Sequence, residues 1–214
     1  MKHWTQYPVP LKVEDFKWAA SKQAYAGHVA ERNGKYYWYV STNWCGIGVA
    51  VSDKITGPYK DVLDKPLLTN KDCFDSHHSW ACIDPAVFID DDGQAYLTWG
   101  NRECYIVKLK DNMIETEGEV KRIHIDESHP FTEAPWIHKH NGKYYLTYAS
   151  EWPEKIAYAV ADHIEGPYET KGIISEIAGN SNTTHPAIVN FKGQWIFISH
   201  NGGAPRGPPS HRHT

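Results

Sequence analysis

Thr132-Glu133-Ala134-Pro135-Trp136 leads through Ile137-His138-Lys139-His140 into the turn Asn141-Gly142, and the chain leaves along Lys143-Tyr144-Tyr145-Leu146-Thr147-Tyr148. An Asn-Gly pair between alternating, aromatic-rich stretches is a strong short-range hairpin signal, because both central residues of the tight turn need positive φ. The same plan occurs upstream, where Asp84-Pro85-Ala86-Val87-Phe88-Ile89 runs to Asp92-Gly93 and on into Gln94-Ala95-Tyr96-Leu97-Thr98-Trp99. In both copies a carboxylate stands nine residues before the hairpin glycine, so one slot of a repeated unit is filled first by Asp and then by Glu. Carboxylates at equivalent points of successive repeats converge on a symmetry axis, a common way to build a sugar-cleaving site.

Two further glycines extend the series. Gly34 precedes Lys35-Tyr36-Tyr37-Trp38-Tyr39-Val40, and Gly193 precedes Gln194-Trp195-Ile196-Phe197-Ile198-Ser199, so the four glycines are spaced by 59, 49 and 51 residues. Ile47–Ser52 and Ile156–Val160 add third strands, each followed by a Gly-Pro-Tyr turn, Gly57-Pro58-Tyr59 or Gly166-Pro167-Tyr168. Units of about 50 residues, each a few antiparallel strands, predict an all-β fold of the β-propeller type with about four blades in this chain. Glu115 to Lys121 is charged and short and is expected to be loop and edge strand. Residues 1–201 are expected to form one domain and 202–214, rich in Gly and Pro, an irregular tail.

Composition narrows the function classes. Net charge is −4 with both signs interspersed, so no basic patch points to nucleic acid. The longest apolar stretches are strand-sized, which argues against a membrane span. Met1-Lys2-His3-Trp4-Thr5-Gln6 lacks the apolar run of a secretory signal, and the chain as given is expected to be cytoplasmic or a trimmed segment. Cys45, Cys73, Cys82 and Cys104 show no zinc spacing and are expected as buried free thiols, with a disulfide as the alternative. The thirteen His, His77-His78 included, contain no H-x-E-H or H-x-x-x-H set that would support zinc. Nine Trp and thirteen Tyr suit the packing of short strands and also stacking on sugar rings.

Four segments taken in order, Ala26-Gly27-His28-Val29-Ala30-Glu31-Arg32-Asn33-Gly34-Lys35-Tyr36-Tyr37-Trp38-Tyr39-Val40, Ile83-Asp84-Pro85-Ala86-Val87-Phe88, Thr132-Glu133-Ala134-Pro135-Trp136 and Thr184-His185-Pro186-Ala187-Ile188, resemble glycoside hydrolase family 43, most closely its β-xylosidase and α-L-arabinofuranosidase branch. The resemblance runs from about Met1 to Asn201. It implies a five-bladed propeller with the site at one end of the axis, and hydrolysis of arabinose- or xylose-bearing oligosaccharides with inversion. It also implies Glu133 as general acid and Asp84 as the carboxylate that raises the acid's pKa and orients it. Read without it, Glu133 also fits a surface carboxylate beside a turn, and Asp84 an Asx-type acceptor before proline.

His185 stands in nearly the same slot of the next repeat. The resemblance gives it a part in contacting sugar or a hydrated cation, often calcium, with His200 in Ser199-His200-Asn201-Gly202 as a second candidate; no cofactor is required for the chemistry. Trp18, Trp44, Trp80 and Trp136 are the aromatics expected to floor a sugar pocket.

The resemblance places the water-activating Asp on a first blade upstream of the part matched here, so the base is expected to be missing from residues 1–214. Asp15 and Asp75 have no spacing that recommends them. The family's arginine-bearing strand after the His-Asn-Gly stretch is likewise not matched by Arg206-Gly207-Pro208-Pro209-Ser210-His211-Arg212-His213-Thr214. A propeller short of a blade leaves open sheet edges and apolar surface, which predicts a homo-oligomer. Two other functions compete: a sugar-binding propeller without the base, and a protein-interaction propeller, which charges in inward slots disfavour.

Overall fold

In the computed structural model, which describes residues 5–20, 22–42 and 46–200, the repeats become three four-stranded antiparallel sheets and one two-stranded sheet. The first blade is β1 (Ala24–Arg32), β2 (Lys35–Thr42), β3 (Gly46–Ser52) and β4 (Lys60–Asp61). The second is β5 (Ala86–Ile89), β6 (Ala95–Trp99), β7 (Cys104–Leu109) and β8 (Thr116–Ile123). The third is β9 (Phe131–His140), β10 (Lys143–Ser150), β11 (Lys155–Ala161) and β12 (Glu169–Ser175). Among the described residues the fourth consists of the hairpin β13 (Ala187–Phe191) and β14 (Gln194–Ile198). Within each sheet the strands follow in chain order, and the first strands touch in turn, β1 on β5, β5 on β9 and β9 on β13, which puts them around the axis.

The hairpin glycines do what the spacing asks of them. Asn33-Gly34, Asn141-Gly142 and Lys192-Gly193 all have positive φ at both positions, the two-residue turn whose twist matches its strands. Glu115 to Lys121 lies largely in β8, an outer strand, as its charge pattern predicts. The third strand of the second blade, β7, and the fourth strands β4, β8 and β12 complete a pattern that the apolar alternation shows only in part.

Blades are held by the faces they bury on each other. Trp99, Tyr39, Tyr105, Ile47 and Leu97 form one cluster between the first and second blades; Tyr96, Ile106, Leu146, Tyr148 and the small Ala157 and Ala159 form another between the second and third. Buried tyrosines keep their hydroxyls bonded: Tyr39 Oη donates to Met113 O (2.6 Å) and Tyr148 Oη to His129 O (2.8 Å). The two Gly-Pro-Tyr turns repeat one device, Tyr59 N donating to Pro10 O and Oη to Ile55 O, and Tyr168 N to His124 O and Oη to Ile164 O. Most of the aromatic content is thus accounted for by packing.

Trp18 is one of these packing residues and corrects the expectation that it floors a sugar pocket. It sits edge-on to Phe16 (5.4 Å between ring centres), near Gly48, and donates Nε1 to Asp61 Oδ2 (2.9 Å) beside the outermost strand of the first blade. Lys17 and Trp18 belong to a non-strand segment laid across that sheet, where a large ring covers apolar surface. Trp44, Cys45, Arg206, Arg212 and the 202–214 tail lie outside the described residues. Cys73, Cys82 and Cys104 are buried free thiols.

The short loop between β6 and β7 links fold to site. Gly100 has φ +134, a conformation few side chains adopt, and a Cβ there would stand 2.0 Å from Glu103 O. Gly100 N donates to Ile83 O (2.9 Å) and Arg102 N to Thr132 O (2.7 Å), so the loop is pinned to the residues just before Asp84 and Glu133. Gly100→Ala is expected to cost about 1–3 kcal/mol through backbone strain, seen as a lower urea midpoint with unchanged slope. An unchanged midpoint would show that the loop relaxes freely.

Candidate active site

The axis ends of the inner strands share a backbone signature. Ala26 (φ 48), Asp84 (φ 60) and Ala134 (φ 59) all take left-handed conformations, and the pairings of β1 with β2 and of β9 with β10 shift register near Ala26 and Ala134. Bulges of this kind re-aim side chains and recur beside functional sites. Here they bring Tyr25, Asp84 and Glu133, from three blades, onto one cavity of about 540 Å³, inside the range usual for small-molecule sites. Tyr25 is nine residues before Gly34, the slot that Asp84 and Glu133 fill in their own repeats. The slot arithmetic contains it, although an aromatic there does not draw the eye as a carboxylate does.

Asp84 is 4% exposed and tied on every side. Its N–H donates to Ser41 Oγ (2.8 Å) of β2, and its Oδ2 accepts from Ala134 N (3.2 Å) of β9 and lies 3.1 Å from His185 Nε2, just before β13. Burial pulls the His185 imidazole down, but the Asp84 bond and the charges of Asp84, Glu133 and Glu154 outweigh it and hold His185 above its ordinary value. With His185 protonated the contact is an ion pair with one buried member.

Glu133 projects from β9 and accepts at Oε2 from Asn101 Nδ2 (2.7 Å), on the β6–β7 loop. Burial, and next the like charge of Asp84, push its carboxyl up, while the Asn101 bond and the His185 charge oppose the shift. Asn101 is positioned by its own carbonyl, which accepts from Ser76 Oγ (3.4 Å) and lies 3.3 Å from His78 Nε2. Asn101 carries no sequence signal of its own; only its place after the pinned Gly100 brings it to the carboxyl.

The lining is also aromatic. Trp80 is 37% exposed and meets Tyr25 edge-on (5.8 Å). Trp136 leans on His28 (5.0 Å) and donates its indole N–H to Ile188 O (2.9 Å), which fixes the ring in the cavity wall. Burial takes His28 down to about 4, so it meets the cavity as a neutral imidazole. His200 stacks on His185 (5.7 Å) at the same wall. Asp15 caps a short turn through Lys12 N, and Asp75 pairs with Arg122; neither reaches the cavity.

A cation does not fit well here. Asp84, Glu133 and His185 each offer one donor atom, all within 4.8 Å of one another. Calcium takes about six to eight oxygens. Asp84 Oδ2 is already engaged with Ala134 and His185, and neither His185 nor His200 adds an oxygen. The group is better suited to holding protons than to completing a calcium shell.

The whole chain, residues 1–214, matches the family model for glycosyl hydrolases family 43. Xylosidase/arabinosidase 43A of Humicola insolens is 34% identical, covering 92% of this chain and 71% of the relative; a β-xylosidase of Xylanibacter ruminicola is 32% identical, covering 88% and 68%. An α-L-arabinofuranosidase structure from Clostridium thermocellum superimposes with a TM-score of 0.76 at 38% identity, over 83% of this chain and 61% of that one. A β-xylosidase/α-arabinofuranosidase from a compost metagenome, solved with xylotriose in a calcium-free form, gives 0.80 at 31% identity, over 94% and 72%. The chain thus spans less than two thirds of the first of these structures and about 70% of the others.

The Asp84–His185 pair has a sign that can be checked. Because the folded pKa of His185 is raised, the pair's contribution to stability is complete below the ordinary histidine value of 6.5 and fades as pH rises through the folded value. In Asp84→Asn the bond and the Asp84 charge are gone, so the His185 imidazole is expected to titrate at lower pH than in the unsubstituted protein by NMR. A histidine that titrates alike in both proteins would remove the ion pair.

Proposed function

Because the chain belongs to glycosyl hydrolases family 43, we propose that it is built to release terminal arabinose or xylose from arabinoxylan-type oligosaccharides, with Glu133 as general acid. The observation that carries this is the Glu133 carboxyl, buried beside Asp84, held by Asn101 and facing an aromatic-walled cavity. A carboxyl whose proton is retained above the usual range is what protonating a glycosidic oxygen near neutral pH requires. The relatives' names, xylosidase and arabinofuranosidase, and a neighbour solved with xylotriose support the substrate class.

Asp84 has the role of modulator. Its carboxyl lies too near that of Glu133, with donor atoms within 4.8 Å, to leave room for the water of an inverting reaction, which needs carboxyls about 6.5–9.5 Å apart. It is also too enclosed to attack a sugar carbon as a nucleophile. Inversion therefore calls for a third carboxylate across the cavity, and among the described residues the cavity's carboxyls are Asp84 and Glu133 alone. That observation favours a second reading, a sugar-binding propeller that retains the acid side of the machinery without the base.

Hydrolysis of 4-nitrophenyl α-L-arabinofuranoside and 4-nitrophenyl β-D-xyloside separates the two. Turnover is expected to fall about 10²–10⁴-fold in Glu133→Gln on unactivated xylobiose and far less on the aryl glycosides, whose leaving groups need no acid. Equal loss on both substrates would remove Glu133 from the acid role. Calorimetric binding of xylobiose without turnover in the unsubstituted chain would establish the second reading. The wall ring Trp80 is expected to act on binding: Trp80→Ala raises KM by about tenfold with kcat little changed, a stacking loss of about 1–1.5 kcal/mol.

A further inference from the structure

Behind Glu133, outside the cavity lining, lies a carboxyl that neither the repeat pattern nor the resemblance singles out. Glu154 sits at the β10–β11 turn and is 1% exposed. Its backbone N–H donates to Asn182 O (3.0 Å), and its Oε2 accepts from Thr184 N (2.6 Å), next to His185. Its other oxygen, Oε1, is fully buried with no donor in reach among the described residues. The polar group beside it is the Glu133 carboxyl, close enough for a hydrogen bond if one of the two carries a proton. Lys155, the neighbouring cation in sequence, turns away to Glu151 (3.1 Å) and Glu176 (3.6 Å).

We propose that Glu154 is a positioning residue for Glu133, the two buried carboxyls sharing one proton that gives Glu154 Oε1 its missing partner and holds Glu133 aimed into the cavity. Two ionised carboxylates at this distance would repel and leave Oε1 unsatisfied, while one proton between them removes both costs. Oε2 of each accepts an N–H, from Thr184 N on Glu154 and from Asn101 Nδ2 on Glu133, which leaves Glu154 Oε1 as the buried oxygen that still needs a donor. Burial, then the Glu133 charge, work in the same direction on Glu154 and raise its carboxyl, while the Thr184 bond and the His185 charge oppose them. The charged and titratable groups facing the pair are Asp84 from the segment before β5 and His185 from the segment before β13.

The inference rests on Glu133 as the acid and adds how its proton is kept. When the pair's one proton stands on the cavity-facing oxygen of Glu133, that O–H bond breaks as a new O–H forms on the departing sugar. Two carboxylates are left, and their repulsion draws a proton back from solvent once product leaves. The acid is thereby reloaded at a pH where an isolated glutamate stays ionised.

Infrared difference titration tests this on the purified chain whether or not it turns over substrate. The unsubstituted protein is expected to show the carbonyl band of a protonated, buried carboxyl that titrates above the ordinary glutamate range. The band is lost near neutral pH in both Glu154→Gln and Glu133→Gln, because an amide then supplies the hydrogen bond. A band that persists in Glu133→Gln means that burial alone protonates Glu154, and no band at all means that a water or another group satisfies Oε1; either overturns the proposal. Should Glu154→Gln fail to fold, Glu133→Gln decides alone.

Where the chain hydrolyses xylobiose, whose leaving group needs the acid, the alkaline limb of kcat/KM in Glu154→Gln moves to lower pH by about one unit or more, since the like charge is gone and a permanent donor remains. A lower rate with an unmoved limb would reduce Glu154 to a structural part and overturn the proposal. The expected infrared result without any turnover would support the shared proton and count against the hydrolytic function only.

Discussion

One buried carboxylate ties this propeller together at its axis. Asp84 belongs to the second blade, bonds through its N–H to Ser41 of the first, accepts from the backbone of Ala134 in the third and pairs with His185 at the start of the fourth. Blades also meet through apolar faces, which give adhesion without direction, and through contacts such as Tyr39 Oη to Met113 O and Lys139 Nζ to Asp90 Oδ1 (2.6 Å). Charge-assisted hydrogen bonds are directional and strengthen in a dry interior, where a partner lost would leave an unpaired charge. The left-handed backbone at Asp84 and Ala134 follows from this constraint: the carboxylate and the N–H it captures face one another only if both inner strands bend at their ends. The strain of those bends is a local cost, and the bond between them is what makes it tolerable.

Much of this was legible in the sequence because the physics behind it is local. Asn33-Gly34 and Asn141-Gly142 encode tight turns through two residues that accept positive φ, and aromatic alternation marks β2 and β10, which are buried over their second halves. The outer strands were harder. In β8 the pattern Thr116-Glu117-Gly118-Glu119-Val120-Lys121 is mostly exposed, so solvent exerts no selection for alternation, and β4 is two residues long. Trp18 reads the same whether it floors a pocket or covers a sheet, and the choice is made by Asp61, 43 residues away.

The site divides along the same line. Asp84 and Glu133 occupy one repeat slot and His185 stands one residue off it, and a slot is visible as spacing. Asn101 and Glu154 reach Glu133 from loops that hold no repeat position, and the tertiary pinning of Gly100 and Thr184 brings them there. Residues that touch a ligand tend to be placed by the repeated part of the fold, and those that tune them by its irregular parts. A one-dimensional reading therefore finds the first group more readily than the second.

The charges of the site point toward one kind of chemistry when counted together. Asp84, Glu133 and Glu154 offer three carboxyls against one imidazolium at His185, and if Glu133 and Glu154 share a proton the cluster carries about one net negative charge. On the proposed glycosidase chemistry the transition state gathers positive charge at the anomeric carbon as the bond to the departing oxygen weakens. A fixed negative cluster at one wall stabilises that charge, and the same field keeps the proton on the acid until it is needed. On the same proposal the aromatic part of the lining offers rings for the apolar face of a sugar and lowers the local dielectric, which strengthens both effects. A surplus of buried carboxyls that would be a liability for folding alone thus acquires a physical purpose, since stabilising the cation and retaining the proton draw on a single arrangement of charge.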